Sequence, residues 1–295
     1  MSKTIVFSGS ATALVTPFTD SGVNFNTLGQ LIDFQLDGGT EALVICGTTG
    51  EASTMTPRER ADAIAFAKRR VNGKIPIIAG TGANNTASAI RLSIEAQEAG
   101  ADALLVVTPY YNKTSQHGLV KYYTDIADAV DLPVIAYNVP SRTSLNIRPE
   151  TMELIARHPR VVGIKEASAD ITQIAQLAQR CPDLAIYSGC DDHVLAIMAF
   201  GGRGVISTVA NIAPKQMHDV CAAFLCGDVA KSRELQLALN PLADAMFCDV
   251  NPVPVKTALR LMGYDVGAQR APLCDLLPQV QAHMEQVMRN YGLIG

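Results

Sequence analysis

The sequence predicts an α/β protein of the (β/α)8 TIM-barrel class with a small helical domain at its C-terminal end. Eight short apolar runs alternate with amphipathic segments along most of the 295 residues. Alternation of this kind predicts a parallel sheet, and eight units predict a closed barrel, which typically takes roughly 250 residues. An open, doubly wound sheet is the alternative. It is disfavoured because no Gly-x-Gly-x-x-Gly turn follows the first predicted strand.

The predicted strands are short runs rich in Val, Ile, Leu and Ala, as expected for strands that are buried on both faces. They cover residues 12–16, 42–46, 75–79, 103–107, 133–137, 161–165, 185–188 and 204–207. The predicted helices show apolar residues at helical spacing. They cover residues 26–38, 57–71, 87–99, 118–130, 149–157, 171–180 and 193–200.

The strand pattern stops at about Pro214. Beyond it, four segments predict helices, and Pro241 predicts a kink in the second of them. These segments are residues 215–225, 228–247, 254–262 and 276–291. We therefore divide the chain into a barrel, residues 1–224, and a C-terminal helical part, residues 225–295.

Composition excludes several classes of function. The net charge of −4 is small and no run of like charges occurs, so neither a nucleic acid nor a membrane surface is an expected partner. No apolar stretch is long enough to span a bilayer, and the first apolar run does not resemble a signal peptide. The seven cysteines form no Cys-x-x-Cys pair and the five histidines lie far apart, which disfavours a metal site. We expect a cytoplasmic protein with reduced cysteines.

The sixth predicted strand, Val161-Val162-Gly163-Ile164-Lys165-Glu166, ends in a lysine. Because side chains alternate along a strand, we expect Val161, Gly163 and Lys165 on one side and Val162 and Ile164 on the other. A solvated lysine at a strand end is the simplest interpretation, since lysine is rarely buried without a partner. The residues at the ends of the neighbouring strands favour a different interpretation, a lysine at the mouth of a cavity.

Polar residues follow several strands at the face where barrel enzymes place their sites. Strand two ends in Gly47-Thr48-Thr49-Gly50-Glu51, strand four in Thr108-Pro109-Tyr110-Tyr111-Asn112, and strand five in Tyr137-Asn138-Val139-Pro140-Ser141-Arg142-Thr143. Together with Lys165 they predict one site. The run Gly201-Gly202-Arg203-Gly204 resembles a phosphate loop, but it precedes strand eight and so lies at the opposite end of the barrel.

The residue types point to a reaction. A lysine in a cleft loses its proton more easily and can attack a keto carbon to form a Schiff base. The Thr48–Thr49 loop can hold the carboxylate of a keto acid, and Tyr137 with Thr49 can move protons. Arg142 offers a planar fork for a second carboxylate. This combination predicts a metal-free class I aldolase reaction on pyruvate, with no cofactor.

Three of these motifs resemble one family. The runs from Gly47 to Glu51, from Tyr137 to Thr143 and from Gly163 to Glu166 are similar to the dihydrodipicolinate synthase family, in the pyruvate-dependent aldolase superfamily that includes N-acetylneuraminate lyase. The similarity extends to Asn251-Pro252-Val253-Pro254-Val255-Lys256 in the helical part. Arg142 favours the synthases over the lyases.

The resemblance implies the condensation of pyruvate with L-aspartate 4-semialdehyde, in lysine and cell-wall precursor synthesis. It makes Lys165 the Schiff-base residue and Tyr137, Thr49 and Tyr111 the proton relay. It further implies that main-chain groups of Thr48 and Thr49 hold the pyruvate carboxylate and that Arg142 binds the semialdehyde carboxylate.

The resemblance also implies that Gly189 and Ile206 line the pocket through their carbonyls, and that the assembly is a homotetramer of two tight dimers. The resemblance implies that Tyr111 reaches into the site from the neighbouring subunit. Cys190 departs from the family, which more often has a polar residue there.

Two alternatives and one regulatory expectation remain. The alternatives are another aldolase of the superfamily, acting on N-acetylneuraminate or 2-keto-3-deoxygluconate, and a non-catalytic keto-acid sensor.

In regulated members, lysine binds near the position of Tyr110, with a glutamate at the position of Ser88 and histidines at those of Pro57 and Arg60. Since this chain keeps Asn84 and Tyr110 but lacks those three partners, we expect weak inhibition by lysine, unless Glu51 or another acid compensates.

Overall fold

The computed structural model describes residues 3–295 and contains a closed barrel of eight parallel strands, which confirms the predicted fold class. The strands are β1 (Gly9–Ala13), β2 (Phe18–Thr19), β3 (Gly22–Val23), β4 (Ala42–Ile45), β5 (Ile77–Gly80), β6 (Ala103–Val107), β7 (Val134–Asn138), β8 (Val161–Glu166), β9 (Ala185–Ser188) and β10 (Gly204–Ser207). Around the barrel they follow the order β1-β10-β9-β8-β7-β6-β5-β4, while β2 and β3 form a separate antiparallel hairpin.

Helices surround the barrel and form the C-terminal part. They are α1 (Phe25–Asp37), α2 (Pro57–Val71), α3 (Thr86–Glu98), α4 (Gln116–Asp128), α5 (Pro140–Thr143), α6 (Pro149–Ile155), α7 (Ile171–Arg180), α8 (Val194–Ala199), α9 (Pro214–Leu225), α10 (Val229–Ala245), α11 (Val253–Leu261) and α12 (Pro278–Tyr291).

Side chains in the loops fix where several helices begin. Asn24, Asn85 and Ser115 each accept a hydrogen bond from a backbone N–H of the first turn of α1, α3 and α4. At α2 the Thr56 side chain and the Glu59 side chain bond each other's backbone N–H, a capping box. These caps satisfy N–H groups that the helix itself leaves unpaired, so the loops before the helices have defined ends.

Two apolar layers hold the barrel together. The inner layer fills the barrel with side chains that point to its axis, among them Val44, Ile78, Ile135 and Tyr187. The outer layer lies between the strands and the helices. Tyr187 stacks on Phe7 with ring centroids 4.3 Å apart and donates a hydrogen bond to the Phe7 carbonyl, which closes the barrel at the end opposite the expected site.

The first strand was predicted three residues too late. The sequence interpretation used the apolar Leu14 and Val15, whereas β1 is the small, partly polar run Gly9–Ala13. Ser10 and Thr12 are fully buried in it, and Thr12 donates a hydrogen bond to the Gln35 side chain of α1. An apolar pattern misses such a strand because the bonded hydroxyl takes the place of an aliphatic side chain.

The expected alternation along β8 is also wrong at its start. Val161 and Ile164 lie in the outer layer and Val162 lies in the inner layer, whereas Val161 was expected on the side of Lys165. The pairing with β7 shifts register between Val134 and Ile135, so a bulge inserts one residue. From Gly163 onward the expected alternation holds, and Lys165 points inward as predicted.

The C-terminal helices follow the barrel directly. The helix α9 packs against β1, α10 packs against α9, and α11 and α12 pack on each other. The predicted division after residue 224 falls at the end of α9 and stays a prediction, as does the kink at Pro241, which lies inside α10. Across residues 3–295 no helix combines the length and apolar character that crossing a bilayer requires.

Candidate active site

Lys165 stands inside the barrel at the end of β8, where only 6% of the residue is exposed. Its amine nitrogen lies 4.5 Å from the centre of the Tyr137 ring on the adjacent strand. Burial lowers the pKa of Lys165 to about 8, while the nearby Asp191 acts in the opposite direction and Arg142 reinforces the decrease. The lysine is therefore a buried amine that can lose its proton near neutral pH, and the solvated alternative is wrong.

The strand ends around Lys165 are fixed by a buried carboxylate. Glu166, the next residue, points to the other side of β8 and accepts hydrogen bonds from both Asn138 of β7 and the Ser168 backbone. In the sheet register, Asn138 pairs with Glu166 and Tyr137 pairs with Lys165. The hydrogen bonds between Asn138 and Glu166 thus hold the adjacent pair, Tyr137 and Lys165, in place.

Tyr137 is nearly as buried as the lysine, with 8% exposed. Burial raises the pKa of its hydroxyl to about 12, and the charge of Arg142 partly opposes that rise. The phenol consequently stays protonated at neutral pH and can donate a proton to a nearby group.

The Thr48–Thr49 loop follows β4. Thr49 is buried, and its hydroxyl accepts a hydrogen bond of 2.9 Å from the Asn251 side chain. Asn251 belongs to the segment before α11, and its backbone oxygen accepts a hydrogen bond of 3.3 Å from Arg142. One asparagine of the C-terminal part therefore contacts both the threonine loop and the arginine.

These groups line one cavity of about 510 Å³ at the carboxyl ends of the strands. Six of the predicted site residues contribute to its wall, namely Thr48, Thr49, Tyr137, Arg142, Lys165 and Gly189. A nucleophilic amine, a protonated phenol, two hydroxyls and a guanidinium thus face a space large enough for a small dicarboxylate.

A model of the dihydrodipicolinate synthetase family matches residues 6–290. The chain belongs to that family. A 4-hydroxy-tetrahydrodipicolinate synthase of Thermoanaerobacter sp. (strain X514) is 54% identical over 291 residues, 98% of each chain. One from Caldicellulosiruptor bescii is 50% identical over 289 residues, again 98% of each. Among solved structures, a chloride-inhibited dihydrodipicolinate synthase from Acinetobacter baumannii complexed with pyruvate has a TM-score of 0.95 and 41% identity over 98% of this chain and 100% of its own.

These relatives confirm the family expected from the three motifs. The structure places the three residues that only the family resemblance assigned to the site in three different environments. Gly189 lies against the lysine, since a Cβ there would stand 3.1 Å from the Lys165 Cε and 2.6 Å from the Ala167 Cβ. The Ile206 side chain is buried in the inner layer. Tyr111 is 90% exposed, has a left-handed φ of 67° and does not reach the cavity of its own chain.

Sequence reasoning missed part of the wall. Ala243, Asp244 and Phe247, at the end of α10 and just beyond it, line the cavity together with Asn251. They were overlooked because only the loops after the strands were considered. The run Asn251-Pro252-Val253-Pro254, which is part of the family resemblance, is the signal in the sequence that the C-terminal part contributes to the site.

The loop after β9 brings further polar groups to the wall. The Asp191 carboxylate is buried and accepts hydrogen bonds from the backbone N–H groups of Thr208 and Val209. At one edge, the Cys190 thiol, an Asp192 oxygen and a His193 ring nitrogen lie within 4.8 Å of one another. This grouping of metal-ligand types was not foreseen, because histidines had been sought only in pairs at helical spacing.

A second cavity of about 500 Å³ adjoins the first and shares Thr48, Tyr137 and Arg142 with it. Its other lining residues include Arg60, Asn84, Ser88 and Tyr110, four of the positions considered for lysine regulation. Pro57 does not line it. Glu51 is not available to compensate there, since its carboxylate is 2.8 Å from the Lys256 amine in a fully buried pair.

Proposed function

We propose that this chain condenses pyruvate with L-aspartate 4-semialdehyde to 4-hydroxy-tetrahydrodipicolinate, as a lyase of the class I aldolase type, through a Schiff base on Lys165. The relatives that match its full length carry the name of this activity. The observation that carries the proposed mechanism is the buried Lys165 amine, with its pKa lowered to about 8, next to Tyr137 in a cavity that also presents Arg142.

The first step is an addition followed by loss of water. The neutral Lys165 amine attacks the keto carbon of pyruvate, and the carbonyl oxygen takes a proton to give a carbinolamine. Expulsion of that oxygen as water leaves a protonated imine. The buried phenol of Tyr137 is the proton donor for the departing oxygen, because its pKa of about 12 keeps it protonated until a base forms beside it.

The second step makes and uses a carbon nucleophile. The Tyr137 phenolate left by the first step takes a proton from the methyl group, which converts the protonated imine into a neutral enamine. The terminal carbon of the enamine attacks the aldehyde carbon of the semialdehyde and regenerates the protonated imine. The new alkoxide takes a proton from the relay of Tyr137, Thr49 and Tyr111. The amino group of the bound semialdehyde then attacks the imine carbon, which closes the six-membered ring and releases Lys165 as an amine.

Two carboxylates orient the substrates in this scheme. Backbone N–H groups of Thr48 and Thr49 hold the pyruvate carboxylate close to Lys165, and Arg142 holds the semialdehyde carboxylate. Both roles fit the lining of one cavity by these residues. A charged hydrogen bond of this kind contributes roughly 1.5–3 kcal/mol. No cofactor enters any step, because the imine itself is the electron sink.

We also propose a homotetramer of two tight dimers in the cytoplasm, with Gly189 and Ile206 presenting main-chain carbonyls to the pocket. Support for the dimer comes from Tyr111, whose exposed side chain in a left-handed backbone conformation does not serve the cavity of its own chain. In a tight dimer it is available to the partner's site.

A substrate panel separates the proposal from its alternatives. The purified protein is given pyruvate with aspartate semialdehyde, with succinate semialdehyde and with N-acetylmannosamine, and pyruvate consumption is followed. We expect fast turnover with aspartate semialdehyde only. Preferred turnover of the sugar supports the lyase alternative, and pyruvate binding without turnover of any aldehyde supports the sensor.

A further inference from the structure

A fully buried ion pair joins the threonine loop to the C-terminal part. The Glu51 carboxylate lies 2.8 Å from the Lys256 amine, with side-chain exposures of 1% and 0%. Glu51 is two residues beyond Thr49, with a left-handed φ of 55°, and Lys256 is in α11. The two residues are far apart in sequence, so their contact ties two distant segments to each other.

The pair has a complete set of partners. The second oxygen of Glu51 accepts a hydrogen bond of 2.8 Å from the Arg270 backbone, and Lys256 donates another, of 3.0 Å, to the Ala268 carbonyl. The Phe18 ring contacts both cations, with its centre 4.7 Å from the Lys256 amine and 4.0 Å from the Arg270 guanidinium. Burying two charges costs several kcal/mol per ion, and only such a partner set repays this cost.

The same two segments meet a second time in the cavity. Thr49 accepts the hydrogen bond from Asn251, which lies five residues before Lys256. The Thr48–Thr49 loop and the start of α11 are therefore joined by two contacts. One is the buried ion pair of Glu51 with Lys256, and the other is the hydrogen bond of Thr49 with Asn251 at the cavity wall. A shift of α11 moves Asn251 and, through it, the loop to which we assign the pyruvate carboxylate.

We infer that Glu51 and Lys256 are positioning residues for pyruvate: they hold the Thr48–Thr49 loop in the geometry that receives the pyruvate carboxylate. This inference rests on the proposed role of that loop. Neither residue lines the cavity or touches the reacting atoms, so each acts only through the loop and Asn251. Loss of the pair therefore weakens pyruvate binding more than it slows the chemical step.

The test uses two variants and one control. Lys256→Met removes the cation and leaves a buried carboxylate. The double variant Glu51→Gln, Lys256→Met removes both charges, keeps an acceptor for the Arg270 backbone and leaves no unpaired ion, so it folds even where the single variant fails. Lys68→Met is the control. Lys68 is paired with Asp102, which accepts a hydrogen bond from Ile77 at the other end of the barrel.

We expect the double variant to raise the KM for pyruvate about tenfold, equivalent to about 1.4 kcal/mol. The KM for the semialdehyde should change by less than about threefold, because Arg142 is joined to Asn251 by a single hydrogen bond of 3.3 Å. The kcat should stay within about threefold, because Lys165 and Tyr137 are held by the pairing of β7 with β8 and not by this loop. The control should lower Tm without changing either KM. Equal changes in both KM values, or an unchanged pyruvate KM in a folded double variant, overturn the inference. If the unmodified protein forms no borohydride-stable adduct with pyruvate, the proposed function itself fails, and this outcome is distinguishable from the others.

Discussion

Tyr137 and Lys165 occupy paired positions on neighbouring parallel strands, and the lysine amine lies 4.5 Å from the centre of the tyrosine ring. Both residues are buried, and burial shifts the two pKa values in opposite directions, to about 8 for the amine and about 12 for the phenol. The site therefore holds a base that loses its proton near neutrality next to an acid that keeps its own. Schiff-base chemistry needs this combination.

The pH profile should follow the lysine. Because only the neutral amine attacks pyruvate, we expect kcat/KM for pyruvate to rise about tenfold per pH unit below pH 8 and to level off above it. Asp191→Asn removes a negative charge that raises the pKa of Lys165. The pKa of the lysine should therefore fall, and the rising part of this variant's pH profile should move to lower pH. A profile flat down to pH 6, or a limb that moves to higher pH, contradicts this assignment.

Arg142→Ala should affect the second substrate. We expect the KM for aspartate semialdehyde to rise tenfold or more, since a charged hydrogen bond is worth roughly 1.5–3 kcal/mol. Binding of pyruvate should change little. Initial rates with each substrate varied in turn measure both effects, with the exposed Arg148→Ala as the control. Equal loss for both substrates indicates that Arg142 supports the fold by its bond to Asn251.

Complementation should reveal a site shared between subunits. Tyr111→Phe and Lys165→Ala chains, each inactive alone, are unfolded, mixed and refolded together, and hybrids are identified by mass spectrometry. If Tyr111 serves the neighbouring site, some hybrid sites contain both native residues and activity returns. Hybrids without activity show that each chain builds its own site.

Free lysine should inhibit weakly. The second cavity presents Ser88 at the position where the family resemblance expects a glutamate for the ligand amine, and the Arg60 guanidinium adds a like charge. Loss of one charged hydrogen bond, roughly 1.5–3 kcal/mol, lowers affinity by about one to two orders of magnitude. Initial-rate titration measures this, and Ser88→Glu should strengthen inhibition. Strong inhibition of the unmodified protein at submillimolar lysine contradicts the prediction.

The barrel and most of its site were predictable because they rest on local patterns. Eight buried runs gave the strands, and the rule that barrel sites gather at strand ends brought Lys165, Tyr137, Thr49 and Arg142 together before any coordinates. The family resemblance added expected roles that no local pattern contains, such as the proposed reach of Tyr111 across an interface.

What escaped the sequence depends on contacts between distant residues. The bulge at Val161–Gly163 follows from packing between β7 and β8, and an alternating pattern does not reveal it. The contacts of Asn251 with Thr49 and of Lys256 with Glu51 join segments about 200 residues apart. A buried lysine in a helix is read from sequence as a solvated charge, because its partner is not visible there.

The most direct test of the proposed mechanism is chemical capture of the imine. The protein is incubated with pyruvate, reduced with borohydride, digested and mapped by mass spectrometry, alongside Lys165→Ala, Lys165→Arg and the surface control Lys121→Ala. We predict one adduct, on Lys165, in the unmodified and Lys121→Ala proteins, and neither adduct nor activity in the two Lys165 variants, since arginine stays protonated. An adduct on another lysine, or full activity without any adduct, contradicts the mechanism.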